Sequence, residues 1–328
     1  MKNHERFCID CLSARVIIDT DVPLKQFFLK NKDRIEFPAL VILDDEKAFE
    51  NEKHIMTYRN SQEKAIACSE KEISVSYPYE ELTDKNIVYL SKYLIEKQLG
   101  EMGMVTCHSA CVSKNGKAIL LLGDAGAGKT STALNLCLKN GYSLISNDKT
   151  VIGIKDGSLY AFDGTKYLNL RYKSIKENLP QFISLFESED IEAWTEKIKV
   201  QAHEIGIEES YEPTEITDIL FLHVDNREER LVVGHGDSHR NNFILYNNLT
   251  ENIRASSSTF VDKKGHPVGY IPSYDSESTY WNRVKIIQKI NQNPRYRYVS
   301  GKLHDVLEYI NSTRDNIVDV KEADEFEK

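Results

Sequence analysis

The sequence predicts an α/β protein, on three observations. Short apolar runs bounded by turn residues, such as 39–43, 118–122 and 216–225, read as strands. Stretches with apolar residues at helical spacing, such as 87–99 and 131–140, fall between them. One strand-to-helix junction carries a glycine-rich octet whose residue types point to a bound anion.

That octet is Gly123-Asp124-Ala125-Gly126-Ala127-Gly128-Lys129-Thr130, followed by Ser131, and it fits G-x-x-x-x-G-K-[ST] at every fixed position. Glycines let the backbone close on a polyphosphate and adopt positive φ. Successive N–H groups and the helix N-terminus aim partial positive charge at the phosphates. Lys129 adds a full charge for the β/γ oxygens, and the Thr130 hydroxyl is placed to ligate Mg²⁺. Gly141 stops the helix that follows.

Composition bounds the partners. The 328 residues suffice for more than one domain, and a net charge of −9 argues against nucleic acid. No apolar run approaches the ~20 residues that cross a bilayer, and residues 1–6 are polar, so neither a membrane span nor a signal peptide is expected. Cysteines stand at 8, 11, 68, 107, 111 and 137, some within expected core elements, which favours a reduced, cytoplasmic chain over a disulfide framework. Cys8-Ile9-Asp10-Cys11 is half of a zinc knuckle with no second half at finger spacing, and it reads as buried thiols.

In chain order, residues 1–82 read as a small N-terminal α/β domain, with strands at 15–18, 39–43 and 73–77 and a helix at 24–30. No glycine occurs in 1–99, so no second phosphate loop lies there; substrate recognition and packing against the next domain are its open roles. Thr83 caps a helix with Ile87, Leu90, Leu94, Ile95 and Leu99 in one stripe, ended by Gly100 or Gly103 and leading into a catalytic domain, 83–312. Residues 105–112 read as one strand, turned by Asn115-Gly116 into the strand of the octet.

Asp148 follows the strand at 143–146, where ligand sites of α/β proteins gather, and reads as a metal ligand or base rather than a strand cap. Turn residues at 155–158 and 162–165 predict hairpins, and Arg171 ends a strand, as a solvated surface arginine more than as one that meets an acceptor or a phosphate. Residues 187–212, with Trp194, read as a helix around 191–200 and a loop, either a lid or a solvated insertion. Asp225 ends the strand 216–225 in Walker B fashion, which a buried strand running into a turn explains equally well, so it is a weaker metal candidate than Asp148. Residues 234–240 read as a polar loop. Arg240 and Arg254 are equal candidates for an arginine on the γ-phosphate. A helix at 284–290, an edge strand at 293–299 and a helix at 303–310 precede an acidic, disordered tail within 313–328.

Residues 105–152 resemble the C-terminal catalytic domain of HPr kinase/phosphorylase, and still more the HPr-kinase-like proteins of peptide-modification gene clusters. Three anchors carry the likeness at the family's spacing: His108 in His108-Ser109-Ala110-Cys111-Val112, the octet, and Asn147-Asp148 after Gly141-Tyr142-Ser143-Leu144-Ile145-Ser146. The resemblance implies a PEP-carboxykinase-like fold, with the phosphate loop in a mixed sheet flanked by helices, and a homo-oligomer. It also implies ATP- and Mg²⁺-dependent phosphorylation of a hydroxyl, serine-type, on a peptide, protein or small metabolite.

In that family the first aspartate of a pair is the base, supported by the histidine, and the second helps hold Mg²⁺. Carried over, His108 matches the histidine, Asp148 the second aspartate, and Asn147 stands at the first. An amide accepts no proton at neutral pH. The base is then Asp148 or His108, or transfer runs by positioning, which a loose transition state tolerates. Ser131 stands where true HPr kinases carry glutamate. Both departures point away from HPr itself and toward a divergent member. The expected site is therefore His108, Lys129, Asn147 and Asp148 for catalysis, residues 123–131 for ATP, and Thr130 with Asp148 for Mg²⁺. The rival expectation, favoured by Asn147, is a nucleotide-binding regulator or NTPase that transfers phosphate to no acceptor.

Overall fold

The computed structural model describes residues 4–32, 35–44, 49, 54–186, 197–254 and 260–315. It is a mixed α/β protein with two large sheets. In chain order the first sheet takes β1 (Glu5–Cys11), β2 (Ala14–Thr20), β3 (Leu40–Leu43), β4 (Ile55–Asn60), β5 (Ala65–Cys68) and β6 (Glu72–Tyr77), with α1 (Leu24–Asn31) after β2. Their spatial order is β3-β1-β2-β4-β6-β5. β1 and β2 form a hairpin through Leu12 and Ser13, both at positive φ, with the Ser13 N–H donating to Asp10. β2, β3, α1 and β6 lie where the sequence pattern predicts them, whereas β1, β4 and β5 are additional strands. Phe7, Ile9 and Cys11 of β1 are fully buried, as is Cys8, so the CxxC thiols are core residues.

Helix α2 (Asp84–Glu101) starts where expected, with the Thr83 hydroxyl accepting from the Asn86 N–H. It does more than lead into the next domain. Ile87, Leu90, Leu94, Ile95 and Leu99 pack into the core of the first sheet, with Ile253 and Phe260 from later in the chain.

The second sheet collects β7 (Met104–Cys107), β8 (Ala110–Lys114), β9 (Lys117–Leu122), β10 (Ser143–Ser146), β11 (Thr150–Lys155), β12 (Ser158–Gly164), β15 (Thr214–Val224), β16 (Val232–His235) and β17 (Tyr296–Gly301). β13 (Tyr167–Arg171) and β14 (Lys197–Gln201) form a separate two-stranded ribbon. The main path runs β10-β8-β9-β15-β12-β11-β7. β9 runs antiparallel to β8 and parallel to β15; β15 is also parallel to β17. Helices α3 (Lys129–Asn140) and α7 (Leu303–Asp315) cover one face, through Ala133, Leu134, Leu136, Val306 and Ile310. The other face is covered by α5 (His239–Arg254) and α6 (Glu277–Asn291), through Leu245, Leu249, Ile286 and Ile290. α4 (Tyr172–Asn178) follows β13.

Several expectations are corrected. Residues 105–112 are two strands, because β7 pairs with β11 while β8 pairs with β9 and β10, and the chain must break at His108-Ser109 to join them. Residues 162–165 make no hairpin: β12 and β13 belong to different sheets. The end of the expected helix at 191–200 is strand β14, paired residue for residue with β13; Trp194 and the rest of 187–196 lie outside the described residues. The polar loop expected at 234–240 is shorter, residues 236–238, between the end of β16 and the start of α5. The expected edge strand is interior β17, between β15 and β16, since Pro294 falls before the ladder and removes no donor from it. The acidic tail lies outside the described residues from 316 onward.

Candidate active site

The phosphate loop grows from the buried run of β9. Gly123 (φ 139°), Gly126 (φ 84°) and Gly128 (φ 88°) take backbone angles that a Cβ disfavours. A Cβ on Gly128 would sit 2.5 Å from Val224 Cβ, and one on Gly123 would sit 2.7 Å from the Leu222 carbonyl oxygen. The loop is thus pressed against the end of β15, where the Val224 N–H also donates to Ala127 O at 3.1 Å. Gly128 caps α3, whose first residues are Lys129, Thr130 and Ser131. Lys129 is buried, and its Nζ donates to Gly123 O (2.9 Å) and Asp124 O (3.0 Å). Burial lowers the pKa of this ammonium, against the pull of Cys107, Asp148 and Asp124.

The opposite wall comes from two strand ends. Cys107 ends β7 and pairs with Thr150, which begins β11, so His108 and Asp148 emerge side by side. A buried hydroxyl chain pins this corner: Ser109 Oγ donates to Thr150 Oγ1 at 2.7 Å, and Ser146 Oγ lies 2.6 Å from the same atom. His108 Nδ1 then meets Asp148 Oδ1 at 3.2 Å, each side chain about one-quarter exposed (25% and 23%). Burial would raise the Asp148 pKa, but the His108 hydrogen bond and the charges of His108, Lys149 and Lys129 outweigh it and leave the carboxyl below its ordinary value. Asn169 Nδ2, on β13, donates to the other oxygen at 3.4 Å.

Asp148 is held in a strained turn. Its φ is +74°, and the Lys149 N–H donates to Asn147 O at 3.0 Å across it, the pattern of a γ-turn with positive φ. Thr165 clamps both flanks. Asn147 N–H donates to Thr165 O (2.7 Å), Thr165 N–H to Lys149 O (3.0 Å), Lys149 N–H to Thr165 Oγ1 (3.2 Å), and Thr165 Oγ1–H to Asn147 O.

Asn147 is 1% exposed and faces away from the cleft. Its Oδ1 accepts the Thr130 hydroxyl at 2.9 Å and its Nδ2 donates to Tyr167 O at 3.3 Å. The residues expected from the sequence thus divide. His108, residues 125–131 and Asp148 line one cleft of about 820 Å³, Gly123 and Asp124 turn carbonyls toward Lys129, and Asn147 sits behind Thr130.

The arginine candidates divide too. Arg240, in the first turn of α5, reaches Asp124 at 3.5 Å. Arg254 donates to Asp275 at 2.7 Å, a carboxylate shared with the buried Arg283, and so helps fasten α5 to α6. Asp225 lines the cleft with its side chain paired to Arg227 at 2.7 Å, which holds its pKa down to about 2. Thr165, Asn169 and Arg227 were not foreseen: Thr165 and Asn169 act through tertiary contacts that leave no local signal, whereas Arg227 pairs with Asp225 two residues before it.

The glycine cradle, the buried lysine and the hydroxyl at the start of α3 fit a magnesium nucleotide. Among the described residues no group of three or more His, Cys, Asp or Glu could hold a metal. An ion held by Thr130 and Asp148 would take its remaining coordination from phosphate and water, the ordinary manner of Mg²⁺.

Fold and site together define an α/β protein with a phosphate loop beside a histidine–carboxylate pair. Comparison with known proteins gives matching relatives. Two HPr kinase/phosphorylases of Clostridium botulinum, from strains Eklund 17B / Type B and Alaska E43 / Type E3, are each 37% identical over 78 residues, 24% of this chain and 24% of theirs. The chain therefore matches about a quarter of the length of these curated relatives. The solved Hpr(Ser) kinase/phosphatase of Coxiella burnetii aligns over 38% of this chain and 62% of its own at 14% identity and a TM-score of 0.25, too loose a superposition to fix the fold. No protein-family model matches.

Proposed function

We propose that this protein is an ATP- and Mg²⁺-dependent kinase that phosphorylates a hydroxyl, serine-type, on a peptide, protein or small molecule. One observation carries the reading: the His108–Asp148 pair, 3.2 Å apart, opens into the same cleft as residues 125–131. The partial similarity to HPr kinase/phosphorylases supports it.

The chain's own groups supply the chemistry. Loop amides and the start of α3 receive the β/γ-phosphates. Lys129 leaves its two carbonyl partners to follow the transferring group, a swing its four-carbon stem permits. Mg²⁺ held by Thr130 and Asp148 would supply charge neutralisation for the transferring phosphoryl group. Asn147 Oδ1 accepts a hydrogen bond from the Thr130 hydroxyl, so that hydroxyl turns its lone pairs to the cleft. Asp148, ionised at neutral pH, takes the acceptor proton directly or through His108. The acceptor oxygen forms its bond to the γ-phosphorus, the bond from phosphorus to the β-bridging oxygen breaks, and ADP departs with that electron pair. The cytoplasm suits this chemistry, with its nucleotide, and keeps the six free cysteines reduced. Among the described residues no helix is long and apolar enough to cross a membrane.

Asn147 favours a second reading, a nucleotide-binding regulator or NTPase, because the position offers an amide and no base. Incubation with γ-labelled ATP, Mg²⁺ and a panel of serine peptides and proteins separates the two. Label on an acceptor, lost in Asp148→Asn, supports the kinase. Release of free phosphate alone identifies the hydrolase, and neither product identifies the regulator.

A further inference from the structure

The ribbon of β13 and β14 carries a feature that the phosphate loop does not use. Its register sets Arg171 opposite Lys197 and Asn169 opposite Lys199. Leu168 and Leu170 enter the core and Ile198 and Val200 pack against it, so by strand alternation the four polar residues share the other face. Along that face Asn169 touches Asp148, and Lys199 lies over the Tyr167 ring at 4.1 Å. Arg171 and Lys197 come one two-residue step farther, about 7 Å along the strand, and both line the cleft. Among the described residues no carboxylate pairs with either. Like charges directly opposite on paired strands cost stability. Here, in a chain of net charge −9, two cations face each other, and the described residues supply no carboxylate between them. Lys173 adds a third cation to this wall, where Glu177 is the acidic member.

The triphosphate has its own donors in the loop amides, α3 and Lys129. The contacts leading to Arg171 and Lys197 run instead through Asp148 and Asn169, the proton-accepting end of the site. We propose that the cleft face of this ribbon binds an anionic group of the acceptor, a carboxylate or a phosphate borne two or three residues from the hydroxyl that is phosphorylated. An extended peptide advances about 3.3 Å per residue, which matches that distance. The proposal rests on the kinase reading above.

The test saturates the protein with Mg²⁺–AMP-PNP and titrates three fluorescent nonapeptides with one central serine. They carry glutamate, phosphoserine or glutamine at the second and third positions on each side. The anionic peptides should bind about tenfold more tightly than the glutamine peptide. That preference should vanish in Arg171→Gln/Lys197→Gln at unchanged nucleotide affinity. The tighter of the two anionic peptides identifies carboxylate or phosphate as the group. Lys197→Glu should raise the melting temperature of the free protein while abolishing the preference, because it neutralises the facing pair. Equal binding of all three peptides overturns the proposal. So does a double variant that loses nucleotide affinity and keeps the peptide preference, which would give the cations to the nucleotide. A wild-type protein that binds no AMP-PNP fails before any peptide is added, and defeats the kinase reading itself.

Discussion

Thr130 donates its hydroxyl proton to Asn147 Oδ1 over 2.9 Å, and the amide is oriented in turn by Tyr167 O. Asn147 thus acts on the site through Thr130. Asn147→Leu removes the acceptor, frees the hydroxyl to turn its proton toward the ion, and leaves buried polar groups unpaired. Stability should fall by about 1–3 kcal/mol, and the Mg²⁺ dependence of nucleotide affinity should weaken about tenfold. Asn147→Asp keeps an acceptor and should retain that dependence. Calorimetry at two Mg²⁺ concentrations checks both, and an unchanged dependence in the leucine variant would exclude Thr130 as a ligand.

The γ-turn at Asp148 stores strain for a functional side chain. Asp148→Gly and Asp148→Ala both remove the carboxylate, but only glycine accepts φ +74° without cost. Asp148→Gly should be the more stable of the two by about 1 kcal/mol, and neither should transfer phosphate. In the clamp, Thr165→Ser keeps the hydroxyl and should stay near wild type, whereas Thr165→Val should lose about 1–3 kcal/mol. Urea unfolding midpoints measure these differences.

The loop glycines separate steric from conformational cost. Gly126→Ala meets nothing within 4 Å and should cost only the positive-φ penalty, about 1–2 kcal/mol. Gly128→Ala bears that penalty and drives its Cβ into Val224, so it should cost about 1–3 kcal/mol more. Paired denaturation curves read the difference; equal losses would mean the loop is not pressed on β15.

Acid should expose the Asp148 carboxyl. Its native pKa lies below the unfolded value of about 3.9, so it stabilises the fold above that value and the contribution fades as pH falls through the native pKa. Asp148→Asn lacks the contribution at neutral pH and should show a shallower loss of stability below about pH 4. Melting temperatures from pH 2 to 7 test this. Superimposable acid limbs would contradict the His108–Asp148 pairing.

Legibility in the sequence followed the range of the forces. The phosphate loop, the Thr83 cap, the Gly141 stop and the Asn115-Gly116 turn were readable because a few neighbouring residues decide each one. α5 was missed because its asparagine-rich sequence hides the Leu245, Leu249 and Ile253 stripe. The break at His108-Ser109 has no glycine or proline to announce it; strand partners far along the chain impose it. The same holds for the site. Asp148 was a candidate from its place after a strand and His108 from the family resemblance, and Arg171 was readable as a cation at a strand end, while Thr165, Asn169 and the pairing of Arg171 with Lys197 gained meaning only from tertiary contacts and register.

The most direct test is calorimetric titration of Mg²⁺–AMP-PNP into wild type, Lys129→Ala and Asp148→Asn. The account expects saturable binding by wild type, loss in Lys129→Ala, and a reduced Mg²⁺ dependence in Asp148→Asn. Binding that is indifferent to both substitutions, or no binding by wild type, would contradict it.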